Sequence, residues 1–293
     1  MTTLSQSFVD LHLHSTFSDG VYPPAEVVRL AAEAGLAAVA LCDHDNIDGI
    51  DEAMTAGREA GVEVLSGVEL STVWEDFRDI HLLGYGFDPH HPGLRAALQE
   101  FQAFRAGRNE RIVERVNEKL LELGREPIDL REVLASAGGT VGRPHIARAL
   151  IEKKVVRNTE EAFQRFLVPC NVPKRFFPID EAIALVHRAG GVAVLAHPPF
   201  VTPHPKVLEI LVETFISFGL EGIEAHISGV SNDEIDRLIT LARRRGLIVT
   251  GGSDFHGTKD AGIAVGTGRG NLKIPYACVE EIRRALLRRS EGA

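Results

Sequence analysis

Short apolar runs alternate with segments of helical periodicity through the first 90 residues and again after residue 179. This alternation is typical of βαβ units in an α/β fold with parallel strands. In the first run, residues 7–13, His12 and His14 face one side of the strand while Leu11 and Leu13 face the other. The two ends of the chain together supply about seven such strands, so we predict that they form one barrel domain.

The middle of the chain has a different pattern. A long segment between residues 93 and 124 has apolar residues at helical spacing, dense alternating charge and no strand pattern. Further helices are predicted at 129–137, 144–153 and 159–167. We therefore predict two domains, a discontinuous barrel of residues 1–90 and 179–293 and an all-helical insertion, or cap, of residues 91–178.

Composition and charge restrict the possible functions. The 293 residues are 44% hydrophobic and 25% charged, which is typical of a globular protein. The net charge of −9 argues against a general basic surface for extended duplex nucleic acid. The three cysteines, Cys42, Cys170 and Cys278, form no C-x-x-C pair, which argues against disulfides and a thiolate zinc site. No targeting or membrane-spanning pattern is apparent, so we expect a cytoplasmic protein without a membrane partner.

Metal-ligating side chains follow almost every predicted strand. In parallel α/β barrels active sites lie at this carboxyl end of the strands. A single histidine has more often a structural role, but a set at successive strand ends favours metal binding. Imidazole and carboxylate ligands without thiolates suit a catalytic Zn, Mn or Fe site. The residues at these ends are His12 and His14, Asp43 to Asp45, Glu69, His197, and Asp254 with His256.

Six segments together resemble the PHP superfamily, named for polymerase and histidinol phosphatase. They are DLHLHSTFSDG (10–20), CDHD (42–45), GVEL (67–70), HLLGY (81–85), LAHP (195–198) and SDFH (253–256). The resemblance implies a distorted (β/α)7 barrel that holds two to three divalent ions of Mn, Fe or Zn. The implied ligands are His12, His14, Asp19, His44, Glu69, His81, His197, Asp254 and His256.

The resemblance also implies roles within this ligand set. Glu69 would bridge two ions, and His12, His14 and Asp254 would bind one of them. His81 and His197 would bind a second ion, and a third would be bound by Asp19, His44 and His256. The residues implied in catalysis are His12, His14, Glu69, Asp254 and His256.

The chain is expected to leave the barrel just after His81, at the metal end, and to return before the strand of His197, so that the insertion would cover the barrel mouth. The helical insertion resembles the branch of stand-alone PHP phosphoesterases. That branch includes nucleoside 3′,5′-bisphosphate phosphatases and 5′→3′ exonucleases of short RNA or DNA. In the segment GRPH, Pro144 is predicted at the first helical position, so that Arg143 and free backbone N–H groups form an anion site, with His145 adding a hydrogen bond. The alternative is a simple helix start with a surface arginine. His226 could line the same pocket or be structural.

Three functions compete on these observations. The first is hydrolysis of the 3′-phosphate of a nucleoside 3′,5′-bisphosphate, or trimming of a short 5′-phosphorylated oligonucleotide, by a metal-bridged hydroxide. The second is histidinol-phosphate hydrolysis, and the third is a non-catalytic metal-stabilised module. The expected partner is the small phosphorylated substrate alone, with no protein partner evident.

Overall fold

The computed structural model describes residues 7–135, 142–258 and 262–292. Strands and helices alternate in the two end parts of the chain, as predicted, except where strands follow one another directly at residues 63–85 and 248–275. The strands are β1 (Phe8–Leu13), β2 (Ala38–Leu41), β3 (Glu63–Trp74), β4 (Phe77–Tyr85), β5 (Phe177–Pro178), β6 (Val192–Leu195), β7 (Gly222–Ile227), β8 (Ile248–Gly252) and β9 (Ile274–Pro275). The helices are α1 (Pro24–Glu33), α2 (Ile50–Ala60), α3 (Pro92–Glu122), α4 (Leu130–Ala135), α5 (Arg143–Glu152), α6 (Thr159–Ala162), α7 (Ile179–Arg188), α8 (Pro198–Val201), α9 (Pro205–Ser217), α10 (Asn232–Arg245) and α11 (Ala277–Gly292). A π-helical turn, Phe163–Leu167, follows α6.

The sheet is a nearly closed barrel. Its strand order is β8-β7-β6-β4-β3-β2-β1-β9, and the two-residue β5 pairs with β3. β1 meets β8 at the seam, where the amide of Asp254 donates to the carbonyl of His12 over 3.0 Å. A Cβ at Gly252 would lie 2.0 Å from the Cβ of His12, so this contact requires glycine. The seven strands longer than two residues confirm the predicted distorted (β/α)7 barrel.

The direction of β4 differs from the prediction. β4 is antiparallel to both β3 and β6, so it runs away from the carboxyl ends of the parallel strands. His81 therefore lies in the first half of β4, and the prediction that the chain leaves the barrel just after His81, at the metal end, is wrong. The chain leaves at the opposite end, where the amide of Asp88 donates to the carbonyl of Ala189.

Helix α3 then runs back along the barrel. Its 31 residues correspond to about 46 Å at a rise of 1.5 Å per residue. Leu94 and Leu98, in its first half, belong to the barrel core. Ile112 and Leu120, in its second half, belong to a separate core with residues of α5 and the π-helical turn. The helix thus joins the two hydrophobic cores.

The insertion is helical where the structure describes it. All elements between residues 92 and 167 in the described ranges are helices, and the last two residues of the predicted helix 129–137 lie outside those ranges. The domain boundaries themselves stay a prediction. In the described part of the chain, no helix combines the length and apolar character needed to cross a membrane.

Candidate metal centre and substrate cavity

The structure brings the nine predicted metal ligands together at one end of the barrel. His12 lies in β1 and His14 directly after it, His44 comes from the loop after β2, and the segments that follow β6 and β8 supply His197, Asp254 and His256. Glu69 and His81 do not stand at strand ends, because β3 and β4 extend past the barrel rim as an antiparallel pair. Their side chains still meet, with Oε1 of Glu69 2.8 Å from Nδ1 of His81.

The donor atoms form three overlapping groups. Within each group the atoms lie within 4.8 Å of one another. The groups are His12, His14 and Asp254; His14, Asp19, His44 and His256; and His44, Glu69 and His81. Outside these groups, His197 is close to the third through Nε2, which is 3.0 Å from Oε1 of Glu69. This arrangement resembles the predicted division of ligands among three ions, which stays a prediction.

Buried atoms without hydrogen bonds indicate that these residues fit divalent cations. Among the described residues, six such atoms lie on predicted ligands, and burying them without a partner costs about 1–3 kcal/mol each. They are Nε2 of His12 and His14, Oδ1 of Asp19, Nδ1 of His44 and His197, and Oε2 of Glu69. Two ligands about 2.1 Å from one ion lie roughly 3.0–3.4 Å apart. The Nε2 of His14 lies 3.1 Å from Asp254 and 3.4 Å from Glu69.

The charges of the cluster also suit cations. Burial, reinforced by His256, lowers the pKa of His14 to about 4. Burial alone would lower the pKa of His44 too, but the carboxylates of Glu69 and Asp19 outweigh it and raise that pKa to about 9. Glu69 has a pKa below its ordinary value, because His44, His81 and other nearby imidazoles outweigh its burial. Cation binding is therefore expected to displace protons from imidazoles such as His44.

Glu224 is a functional residue that the sequence analysis missed. This carboxylate on β7 is 1% exposed, and its Oε1 lies 3.0 Å from Nδ1 of His12. Its Oε2 accepts a hydrogen bond of 2.8 Å from the amide of His197. Both contacts fix predicted ligands, and the contact with Nδ1 leaves the Nε2 of His12 free for an ion. The available signal was an acidic residue within an apolar strand.

Replacement of Glu224 by glutamine is expected to weaken metal binding about tenfold, which is the usual scale for residues that orient ligands. Glutamine can accept only one of the two hydrogen bonds, and its NH₂ group would oppose either His12 or the amide of His197. Competition with a chelator measures the affinity directly. Glu221→Gln is a matched control, because Glu221 also accepts from an imidazole, His187, and from a backbone amide, Ala193. Equal metal affinities of the two variants would contradict the role of Glu224.

A cavity of about 200 Å³ lies beside the cluster, between the barrel and the insertion. Its barrel side carries the predicted ligands Asp19, His44 and His81. Four cationic side chains also line it, namely Arg105, Arg108, Arg143 and Lys174, which belong to α3, α5 and the segment before β5. We call these four residues the cationic wall.

Three members of the cationic wall are held by protein groups. Arg105 pairs with the buried Asp45 at 3.0 Å, and Lys174 pairs with Asp79 at 2.6 Å. Arg108 donates to the carbonyl of Val172 at 2.7 Å. Burial, together with the charges of Arg143 and Arg105, lowers the pKa of Arg108 to about 10. An anion bound beside Arg108 and Arg143 would offset the repulsion between them.

The fourth member, Arg143, is the first residue of α5. Its guanidinium lies 5.2 Å from the ring centroid of Phe163, and it forms no ion pair with any residue in the described ranges. The prediction that Pro144 is the first helical residue is wrong by one position. The helix begins at Arg143, and Pro144 is its second residue. His145 is buried, and its Nδ1 accepts a hydrogen bond from the amide of Gly142. This ring nitrogen therefore caps the helix and is not available to a phosphate.

The structure does not support a pocket role for His226. A bulge in β7 pairs Glu224 with Thr250 and His226 with the next residue, Gly251, so two positions on β7 correspond to one on β8. The alternation of faces is therefore interrupted between Glu224, which contacts His12, and His226. Burial lowers the pKa of His226, and charged groups of α10 and α11 also act on it. Of the two interpretations of His226, these observations favour the structural one.

A larger groove elsewhere lacks suitable chemistry. It has a volume of about 630 Å³ and lies between α9 and α10, where Asp233, Asp236 and Arg237 are among its lining residues. None of the predicted metal ligands lines it. The smaller cavity at the cluster is therefore the candidate substrate site.

Comparisons with known proteins agree with this geometry. Residues 10–168 match the PHP domain family. The chain is 40% identical over 250 residues to a 5′-3′ exoribonuclease of Haemophilus influenzae, covering 84% of this chain and 89% of that protein. It is 33% identical over 262 residues to a 3′,5′-nucleoside bisphosphate phosphatase of Chromobacterium violaceum, covering 88% of this chain and 90% of that protein.

A solved structure is also similar to this chain over almost its whole length. A protein of Bifidobacterium adolescentis assigned as a metal-dependent phosphoesterase superposes with a TM-score of 0.79 at 33% identity. The match covers 94% of this chain and 96% of that one. The fold, the family match and the relatives together identify a hydrolase of phosphate esters. This chain belongs to the PHP domain family.

Proposed function

We propose that this chain hydrolyses phosphate esters of 5′-phosphorylated nucleotides. The bond cleaved is the one between the 3′-oxygen and phosphorus, either in nucleoside 3′,5′-bisphosphates or at the 5′ end of short oligonucleotides. One observation carries the proposal: a single cavity is lined both by predicted metal ligands and by the cationic wall. Such a cavity suits a substrate with two phosphates, one at the metal ligands and one at the cationic wall.

The nine predicted ligands would hold two to three ions of Mn, Fe or Zn, eight of them in the three groups described above and His197 through its position beside Glu69. Bound divalent ions polarise phosphoryl oxygens and supply hydroxide at neutral pH. The chain itself orients the ligands through Glu224. No serine or cysteine nucleophile is then required.

Arg143 would bind the phosphate that is not cleaved. The other members of the cationic wall are already held by Asp45, Val172 and Asp79, whereas Arg143 has no ionic partner among the described residues. The ring of Phe163 supports its guanidinium by a cation–π contact. An arginine held in this way can contact a phosphate through two parallel hydrogen bonds.

The cationic wall also disfavours histidinol phosphate as the substrate. That molecule carries a single phosphate and a cationic amine, so it has no second anionic group for Arg143 to bind. A panel of a nucleoside 3′,5′-bisphosphate, a short 5′-phosphorylated RNA and histidinol phosphate, each with Mn²⁺, tests the proposal. We expect turnover of one or both nucleotide substrates and little of histidinol phosphate, and the reverse order would refute the proposal.

The purified protein is expected to bind two to three equivalents of transition metal, because nine nitrogen and oxygen donors converge without thiolates. Elemental analysis after reconstitution with Mn²⁺, Fe²⁺ or Zn²⁺ measures this. His187→Gln is a suitable control, since His187 pairs with Glu221 away from the cluster and its loss should leave the metal content unchanged. Less than one equivalent in the wild-type protein would contradict the prediction.

A further inference from the structure

Phe200 is an exposed aromatic side chain beside the metal centre. It is 69% exposed, the highest value among the large hydrophobic residues of the described ranges. Its ring centroid lies 5.7 Å from that of His197, a predicted ligand. Single exposed apolar residues are common on protein surfaces and carry no meaning by themselves. The position of Phe200 next to the metal ligands is what distinguishes it.

The backbone that presents Phe200 is rigid. It follows Pro198 and Pro199 in the short helix α8. Its amide donates to the carbonyl of His197 over 3.0 Å, and the amide of His197 in turn donates to the buried Glu224. Little conformational entropy is therefore lost when a ligand packs on this ring.

Phe200 lies outside the substrate cavity, and a series of neighbouring rings joins it to the cavity lining. His44 and His81 line the cavity, and their ring centroids are 5.0 Å apart. His81 lies 5.1 Å from His197, and Phe200 comes next in this row of rings. Phe200 itself does not line the cavity. A ligand that extends from the cavity across the metal centre would thus reach Phe200.

The proposed reaction determines what lies on that side. Hydroxide forms a bond to phosphorus, the bond from phosphorus to the 3′-oxygen breaks, and the 3′-oxygen takes up a proton. The first nucleotide, with its 5′-phosphate, is released from the cavity. The attacked phosphate stays on the second nucleotide of an oligonucleotide, and this nucleotide must lie outside the cavity, across the metal centre.

We propose that Phe200 is a stacking platform for the base of this second nucleotide. The inference rests on the proposed function and makes short 5′-phosphorylated oligonucleotides the preferred substrates, because a nucleoside bisphosphate has no second base. Stacking on an aromatic ring accepts any base, so trimming would show little sequence preference.

The test is steady-state kinetics with Mn²⁺ on three substrates. These are a 5′-phosphorylated dinucleotide, the same molecule with an abasic second residue, and the nucleoside 3′,5′-bisphosphate. We expect Phe200→Ala to lower kcat/KM for the dinucleotide about five- to a hundredfold, mainly through KM, and to leave the other two substrates unchanged. Phe200→Trp should retain activity on the dinucleotide. Ile210→Ala, a control at a residue of α9 that is 62% exposed, should change none of the three.

The possible failures are distinguishable. If Phe200→Ala cleaves the dinucleotide like the wild-type protein, or loses equally on all three substrates, the stacking role is refuted while the proposed function stands. Wild-type cleavage of the bisphosphate without cleavage of the dinucleotide would likewise refute the stacking role alone. A wild-type protein that cleaves none of the three overturns the proposed function and this inference together.

Discussion

Asp254→Asn is expected to lower kcat by at least about a thousandfold, because metal ions contribute several kcal/mol to the transition state and each 1.36 kcal/mol is tenfold in rate. The carboxylate lies 3.1 Å from Nε2 of His14 and belongs to one of the three donor groups. Asparagine is preferable to alanine because Asp254 has a φ of 56°, a left-handed conformation that asparagine tolerates. Turnover and metal content are measured on the same preparation.

The prediction for Asp254→Asn requires that this variant is folded. Circular dichroism should show an unchanged fold, since the barrel core does not depend on one carboxylate. Asp129→Asn is the control, because this exposed carboxylate of the insertion accepts a local bond from the amide of Arg131. Activity of Asp254→Asn close to that of the control would exclude a catalytic role for this donor group.

Arg143→Ala is expected to lower kcat/KM by about ten- to a hundredfold on a nucleoside 3′,5′-bisphosphate, because a charge-assisted contact contributes about 1.5–3 kcal/mol. The loss should be small on the matching 3′-monophosphate, which lacks the phosphate that Arg143 would bind. Kinetics of both proteins on both substrates form a thermodynamic cycle. The cycle gives the coupling free energy between Arg143 and the 5′-phosphate.

Arg148→Ala is a useful comparison, since this residue lies on the same helix but does not line the cavity. It should lose little on either substrate. Equal losses of Arg143→Ala on both substrates would place Arg143 at the reacting phosphate or in the fold. If Arg143→Ala kept full activity and the coupling free energy were near zero, Arg143 would have no role in substrate binding.

The sequence predicted most of the barrel because the apolar periodicity of its strands and helices is strong. The positions of side chains such as His12, His14 and His197 at strand ends indicated a metal site, and the resemblance to the PHP superfamily implied the full set of nine ligands. The direction of β4 could not be predicted in this way, because the apolar pattern of a strand is the same in both directions. The error about where the chain leaves the barrel followed from that.

Other features depend on tertiary contacts that leave no local pattern. The orientation of His226 relative to Glu224 depends on a bulge in β7, which a single sequence does not reveal. Arg105 and Arg108 look like part of the solvated face of a long charged helix. Only the packing of α3 against Asp45 and Val172 places them at a cavity.

The continuity of α3 across the two cores constrains how the length of this chain can change. Each residue added between Phe101 and Ile112 would rotate the second half of the helix by about 100° and shift it by about 1.5 Å relative to the barrel. Arg143, which belongs to the part packed on that second half, would move with it. Insertions or deletions in this stretch would therefore move Arg143 relative to the metal centre. Substitutions on the solvent face of α3 would leave the spacing between the two proposed phosphate positions unchanged.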